Sequence, residues 1–416
     1  MRQMKDSGVE WLGEIPADWA LRQAGQLADQ TKMPNEGMAE TNLLSLSYGK
    51  VKRRDINATD GLLPDSFETY NIIEPDDIVL RFTDLQNDQK SLRVGRATER
   101  GIITSAYVTV RPFDPSCSRF MYYALHSYDL CKGFYGMGAG VRQGLKWQEA
   151  RYILLPWPDK DEQTRIADFL DAKCAEIDRA VSAAEQSIQE YKAYKSSVIF
   201  QAVAKGLDPT APMKDSGLEW IGSTPMHWDV LEQKWLMRKV KSICEKWQGE
   251  SVLSLTTNGV IVRDIESGKG KFPASFDGYQ YINDGNLVLC LFDIDVTPRC
   301  VGLAGQSGVI SPAYSQFVML GCANARFYDY YLRAMDDRKL YLGLTSTMRH
   351  SFTADVFGLI RALRPPMEEQ IAIADFLDAK CSEIDRLVKA KQAIIDELKS
   401  YKQSLIYEAV TGKLEV

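Results

Sequence analysis

The sequence predicts an α+β fold built twice: two mixed α/β globular units separated by two long, antiparallel coiled-coil helices, related by a pseudo-twofold internal repeat. Two observations carry this. The stretch IADFLDAKCAEIDR, residues 166–179, returns almost letter for letter as IADFLDAKCSEIDR, residues 373–386, at an offset of 207. The N-terminal strip MKDSGVEWLGEIPADW, residues 4–19, likewise recurs as MKDSGLEWIGSTPMHW, residues 213–228, at an offset of 209. The order is therefore strip, globular unit, helix, and then the same again.

The helices follow from periodicity. In the second copy a seam runs through Ile373, Leu377, Lys380, Ile384, Leu387, Lys391, Ile394, Leu398, Tyr401, Leu405 and Ala409. In the first it runs through Ile166, Leu170, Lys173, Ile177, Ala180, Ala184, Tyr191, Val198 and Ala202. Steps alternating between four and three keep these side chains on one narrow face, the requirement for two helices to wind together. Lys173 and Lys380 are register-setting candidates at matched positions. The alternative, a helix lying on one globular core, does not explain why the whole pattern recurs. Symmetric packing of equivalent seams makes the pair antiparallel, and each helix should be about 65 Å long at 1.5 Å per residue.

The strips carry Trp, Gly and Pro punctuation and read as irregular segments pinned by Trp11 and Trp19, or by Trp220 and Trp228. Between strip and helix the copies diverge but keep an outline. LLSLSYGKVKRRDI (43–56) answers VLSLTTNGVIVRDI (252–265), and GIITSAYVTVRP answers GVISPAYSQFVM. Short β-branched runs broken by Gly, Pro, Asn and Asp read as strands of an irregular sheet. Residues 120–130 and 327–337 have the pattern of a short amphipathic helix. LLPWPDKDEQ and LRPPMEEQ then end an extended segment, with proline and acidic residues opening each long helix. The expected divisions are 1–158 (strip 4–19), 159–205, 206–364 (strip 213–228) and 365–416.

Composition narrows the class. A chain of 416 residues, 45% hydrophobic and 25% charged, has room for two or three ordinary globular cores. No apolar stretch reaches the roughly 18 residues of a membrane span, and the start MRQMKDSG is no signal peptide. The 8 cysteines contain no CxxC pair, so reduced thiols and a cytoplasmic location are expected. Cys174 and Cys381 repeat with the helices and read as packing residues. Net charge is −6, which at first argues against nucleic acid. The acidity is local, however: residues 1–40 hold 4 basic and 7 acidic side chains, whereas residues 41–158 hold 15 basic and 13 acidic.

Catalytic signatures are missing. There is no GxxxxGK[ST] phosphate cradle and no glycine-rich or NPPY-like methyl-donor motif. The three histidines, His126, His227 and His350, have no metal-ligand spacing. PDKDE near Asp159 superficially resembles nuclease carboxylates, but acids at a helix start suit the positive end of its dipole. Absence of chemistry in a duplicated chain points to binding. The basic material lies in the divergent units: Lys50, Lys52, Arg53 and Arg54, the series Lys90, Arg93, Arg96 and Arg100, and Arg238, Lys239 and Lys241. Arg54 is kept in the second copy as Arg263. Lysine and arginine position phosphates, and arginine also clamps guanine O6 and N7. Taken alone, each run is more often an ordinary solvated face.

The strings MKDSGVEWLGEIPADW, LDPTAPMKDSGLEWIG and EQxxIADFLDAKCxEID closely resemble the specificity (S) subunits of type I restriction-modification enzymes, over essentially the whole chain. That resemblance implies two target recognition domains, each reading half of a split, asymmetric sequence in double-stranded DNA. It implies helices that act as a ruler and dock two modification (methyltransferase) subunits, with restriction (motor-nuclease) subunits joining them. The chain would be non-catalytic and bind no cofactor, leaving S-adenosylmethionine, ATP and Mg2+ to those partners. Arg142 and Gln143 in GVRQG, and Arg349 and His350 in TMRHS, resemble the polar DNA-facing loop before the last segment of each recognition domain. Two rival functions are a self-contained DNA methyltransferase or nuclease, and a coiled-coil scaffold that binds only proteins.

Overall fold

Four helices organise the chain: α1 (Ser118–Leu130), α2 (Lys160–Lys205), α3 (Ala325–Asp337) and α4 (Met367–Val410). The computed structural model describes residues 2–57, 63–64, 66–85, 88, 90–137, 144–266, 273–297, 299–344 and 351–416. These fall into two compact units, Met1–Glu185 with Ala393–Val416, and Gln186–Gln392. Each long helix contributes part of its length to both.

The start of α2 is set by Asp159, whose carboxylate accepts the Glu162 backbone N–H at 2.8 Å. The acids of PDKDE are thus a helix start, satisfying a donor with no partner inside the helix. In the first unit α2 and α4 run antiparallel. Lys402 donates to Asp178 at 2.6 Å, while Lys399 reaches Glu185 at 3.2 Å, so residue numbers rise on one helix as they fall on the other. In the second unit the equivalent contact, Lys195 to Asp385, is 2.7 Å.

The buried row keeps the expected seam at Ile373, Leu377, Ile384, Leu405 and Ala409 and departs from it between them. Cys381, Ile384, Ile395 and Leu405 are buried, but Leu387, Ile394 and Tyr401 are 36%, 47% and 56% exposed. In α2 the buried residues include the expected Ile166, Leu170, Ile177, Ala184 and Ala202, and also Cys174, Val181 and Ile188. The inward row therefore passes through Cys174 and Cys381, one residue beyond Lys173 and Lys380. Those two lysines instead pair with Glu176 and Glu383 on their own helices, each at 2.9 Å. They set no register. The reason is that one flank of each helix covers a globular unit: Ile373, Leu377 and Cys381 belong to the core of the second unit together with Phe327, Tyr330 and Leu363.

The strips are hairpins, not irregular segments. Met4–Asp6 pairs with Glu14–Pro16, and Met213–Asp215 with Ser223–Pro225. Trp19 and Trp228 are buried and donate Nε1–H to Glu162 and Glu369, both at 2.9 Å, in the first turns of α2 and α4. Each strip also receives the end of a long helix within its own unit. Gly412 has φ +70°, and a Cβ there would meet Pro16 Cγ at 2.3 Å; Gly206, at φ +77°, lies against Trp228. Only glycine fits such a left-handed, closely approached exit.

In the first unit an antiparallel sheet has the order β1 (Ala28–Thr31), β4 (Val108–Pro112), β2 (Ile78–Leu80), β3 (Val94–Arg96). The second repeats it as β5 (Met237–Val240), β8 (Ser315–Met319), β6 (Leu287–Leu289), β7 (Val301–Leu303). The second unit adds a mixed sheet, Gly259–Val262, Val252–Thr256, Gly308–Ile310 and Gln280–Ile282, whose middle pair is parallel. In the first unit the same place holds two antiparallel pairs joined by the single parallel bridge Leu43↔Ile102. Mixed sheets and packed helices, twice over, make the fold α+β.

Candidate nucleic-acid interface

In each unit the short helix is clamped to the long one by the same four groups. Arg119 donates to Asp171 at 2.8 Å and to Asp168 at 2.7 Å, and Tyr123 donates to Asp171 at 2.6 Å. In the second unit Arg326 donates to Asp378 at 2.6 Å and Asp375 at 2.7 Å, with Tyr330 on Asp378 at 2.8 Å. The sequence reading passed over this clamp. Its signal was present in SRF repeating as ARF, and in aspartates that stay fixed within both copies of IADFLDAKC.

The basic candidates are scattered over these scaffolds. Lys50, Lys52 and Arg53 lie on the exposed strand Lys50–Arg53, which forms a hairpin with Leu44–Ser47. Lys50 pairs with Asp178 of α2. Burial tends to raise the Asp178 carboxyl, but hydrogen bonds from Lys402 and Lys50 outweigh it and hold the group below the usual carboxylate range. Arg53 forks onto Glu99 and lowers that carboxyl in turn. Arg54 is exposed, and its backbone N–H donates to Leu43 at 2.8 Å. Arg263, half-buried, repeats that bond with Val252 at 2.8 Å. Arg96 is held by Asp76 at 2.6 Å, and Arg100 by Glu40 at 3.1 Å. Charges held this way are less available to phosphate than the sequence alone implies.

Arg93 must be removed from the interface set. It is fully buried, and its guanidinium donates to the carbonyls of Arg81 at 3.2 Å, Thr83 at 2.8 Å and Asp84 at 3.2 Å, as well as that of Asp88. Nε–H donates to the Tyr135 hydroxyl at 3.0 Å. No donor is left over for a phosphate.

Arg142, Gln143, Arg349 and His350 lie outside the described residues. Their flanks are described. Leu145 N–H donates to the Phe82 carbonyl at 3.0 Å, and Phe352 N–H to that of Leu291 at 2.8 Å. Leu145 and Phe352 thus sit beside the loops that follow β2 and β6.

Two buried titratable groups sit on α1. His126 is stacked on Tyr122, and burial pulls its pKa down to about 4. Asp129 is pushed up to about 6 by burial, although it accepts the Arg93 backbone N–H at 2.6 Å. Among the described residues no group of three His, Cys, Asp or Glu could hold a metal ion, and no helix is long and apolar enough to cross a membrane. All eight cysteines are free thiols.

These features define a class: a duplicated α+β protein carrying two variable loop platforms on two near-identical long helices. No protein-family model and no curated protein matches the sequence. Solved structures do match. A chain described under "Structural basis underlying complex assembly and conformational transition of the type I R-M system" superposes with a TM-score of 0.68 at 12% identity, covering 96% of this chain and 99% of that one. The HsdS subunit from Thermoanaerobacter tengcongensis aligns with a TM-score of 0.47 at 14% identity, over 96% and 98% of the two chains. The type I restriction-modification S subunit from M. genitalium aligns with a TM-score of 0.39 at 12% identity, over 94% and 96%. The fold is thus that of a type I restriction-modification system component, end to end.

Proposed function

We propose that the chain is the specificity subunit of a type I restriction-modification complex. It binds a bipartite, asymmetric target in double-stranded DNA, with one half read by each unit. It performs no catalysis and holds no cofactor. Two modification subunits carrying S-adenosylmethionine methylate adenine, and restriction subunits using ATP and Mg2+ cleave unmodified DNA, in the cytoplasm. The observation that carries this reading is the end-to-end fold match combined with the distribution of sequence change. Scaffold contacts such as Asp178–Lys402 and Asp385–Lys195 are duplicated, whereas the loops on the two platforms differ. Two readers of different half-sites on one frame require that division.

The test is methylome sequencing of cells with and without the gene, paired with gel shifts of the purified chain with and without modification subunits. Loss of one bipartite adenine motif, and DNA binding that sharpens when modification subunits are added, are the expected results. Methylation by the purified chain alone would instead identify a self-contained methyltransferase. No DNA binding in any combination would leave a protein scaffold.

A further inference from the structure

The loop after β2 and the loop after β6 are built the same way but held by different cations. Each turns at an aspartate with positive φ, Asp84 at +58° and Asp293 at +47°. Each closes with an N–H on that aspartate's carbonyl, from Asp88 at 3.1 Å and from Thr297 at 2.9 Å. Such a turn concentrates carbonyl oxygens, and buried carbonyls need donors. In the first unit Arg93 supplies them from the start of β3. In the second, the matching position is Cys300, whose single weak thiol donor cannot serve several carbonyls. There Lys339, just past the end of α3, reaches in from another direction: its Nζ donates to the carbonyls of Thr297 at 2.9 Å and Ile294 at 3.5 Å, and to the Asp336 carboxylate at 3.0 Å. Lys132, the counterpart of Lys339, lies over the Tyr135 ring at 4.7 Å. Both arrangements share one acid. Asp129 and Asp336 each accept the backbone N–H that starts the next strand, from Arg93 and Cys300, both at 2.6 Å.

In the proposed function each unit reads one half of the target, and these anchors fix that unit's loop after β2 or β6. Phe82 and Leu291, within the anchored loops, accept the N–H groups of Leu145 and Phe352. Asp293 N–H also donates to Ser351 Oγ at 3.3 Å. We propose that Arg93 and Lys339 are positioning residues for sequence reading, each fixing the loop after β2 or β6 of its own unit, so that each tunes one half of the target and leaves the other alone. This rests on the DNA-recognition reading above. Arg93 is buried and Lys339 half-buried; a cation bonded to several oxygens of a loop fixes its geometry, and a base reader displaced by about 1 Å loses its bidentate contact.

The test assembles the chain with its modification subunits and selects duplexes from a pool with all target and spacer positions randomised. Arg93→Met should lower base preference about tenfold across one contiguous block, leaving the other block within about twofold; Lys339→Met should do the same to the opposite block. Lys339→Arg should restore most of the loss. A block pattern is diagnostic, because a generally weakened protein loses preference in both blocks together. If Arg93→Met fails to fold, Arg93→Lys decides: it keeps the charge but cannot span four carbonyls, and a one-block loss is again expected. Unchanged preference in a folded variant complex, or equal loss in both blocks, overturns the proposal. A wild-type complex that selects no sequence would sink the DNA-recognition reading itself, a distinguishable outcome.

Discussion

Ile394 and Ile395 are adjacent on α4 and identical in chemistry, yet 47% and 1% exposed. The periodicity of the sequence puts Ile394 on the seam, and the structure puts Ile395 there. Alanine at each position separates the two. Truncating a buried isoleucine removes its transfer energy and leaves a cavity, costing about 2–5 kcal/mol. Truncating the exposed one gives up little burial and gains helix propensity, for a net change within about 0.5 kcal/mol. For a unit of about 200 residues each kcal/mol moves the melting temperature by roughly 2–4 °C, so a loss of ~3 kcal/mol for Ile395→Ala corresponds to about 6–12 °C. Hydrogen exchange followed on peptides of the first unit, alongside thermal melting of the isolated chain, reads the difference directly. Equal losses for the two variants, or a larger loss for Ile394→Ala, would refute the inward row through Cys381 and restore the row through Lys380. Assembly adds a second readout: a modification subunit that covers Ile394 would make Ile394→Ala costly only in the complex.

Three further outcomes are expected. Buried His126, with its pKa lowered to about 4, contributes stability that is full above about pH 6.5 and lost as pH falls toward 4, on the order of 3 kcal/mol. Asp129, raised to about 6, does the opposite: its contribution is full below its unfolded value and lost as pH rises through about 6. His126→Leu should therefore flatten or reverse the acid destabilisation of the first unit, and Asp129→Asn should steepen it; urea titrations between pH 4 and 7 that superpose on wild type would show that neither group matters. Arg142→Ala should weaken binding of specific duplex by about 1–3 kcal/mol if it reads a base. If it touches only phosphate, all sequences should weaken alike and the salt dependence should flatten; unchanged affinity in an intact complex removes Arg142 from the interface. Replacing residues 20–158 with the matching part of a relative should change one half of the methylated motif, and a change in both halves would end the modular reading.

Much of the fold was legible because the chain states it twice. Repetition of IADFLDAKC fixed two equivalent helices, and symmetry of their seams fixed the antiparallel sense later seen in Asp178–Lys402 and Asp385–Lys195. The row facing inward was not legible. Apolar residues occupy neighbouring rows, Ile394 beside Ile395 and Leu387 beside Val388, and period alone cannot choose between them. The globular core that claims one flank of each helix decides. The strips misled for a related reason. Their glycines and prolines mark turns, but the pairing of Met4–Asp6 with Glu14–Pro16 depends on the long helix that buries Trp19. In the basic series Lys90, Arg93, Arg96 and Arg100, charge is a misleading sign of exposure. The duplication held the contrary hint, because the counterpart of Arg93 is Cys300, a residue type that favours the interior.

That same pair explains why one part of the chain diverges while the other does not. Residues of the long helices answer to several neighbours at once. Asp171 takes bonds from both Arg119 and Tyr123, Glu162 from Arg2 and Trp19, and Asp178 from Lys50 and Lys402. A single substitution there strands more than one partner, and stranded polar partners cost more than their bond contributed. The loops obey a looser rule. Their carbonyls require a donor of either geometry, and a guanidinium from one strand or an ammonium from the end of a helix will serve. The frame is then fixed by identity and the platforms only by chemistry, which lets the surface of one unit change without disturbing the contacts that hold both long helices.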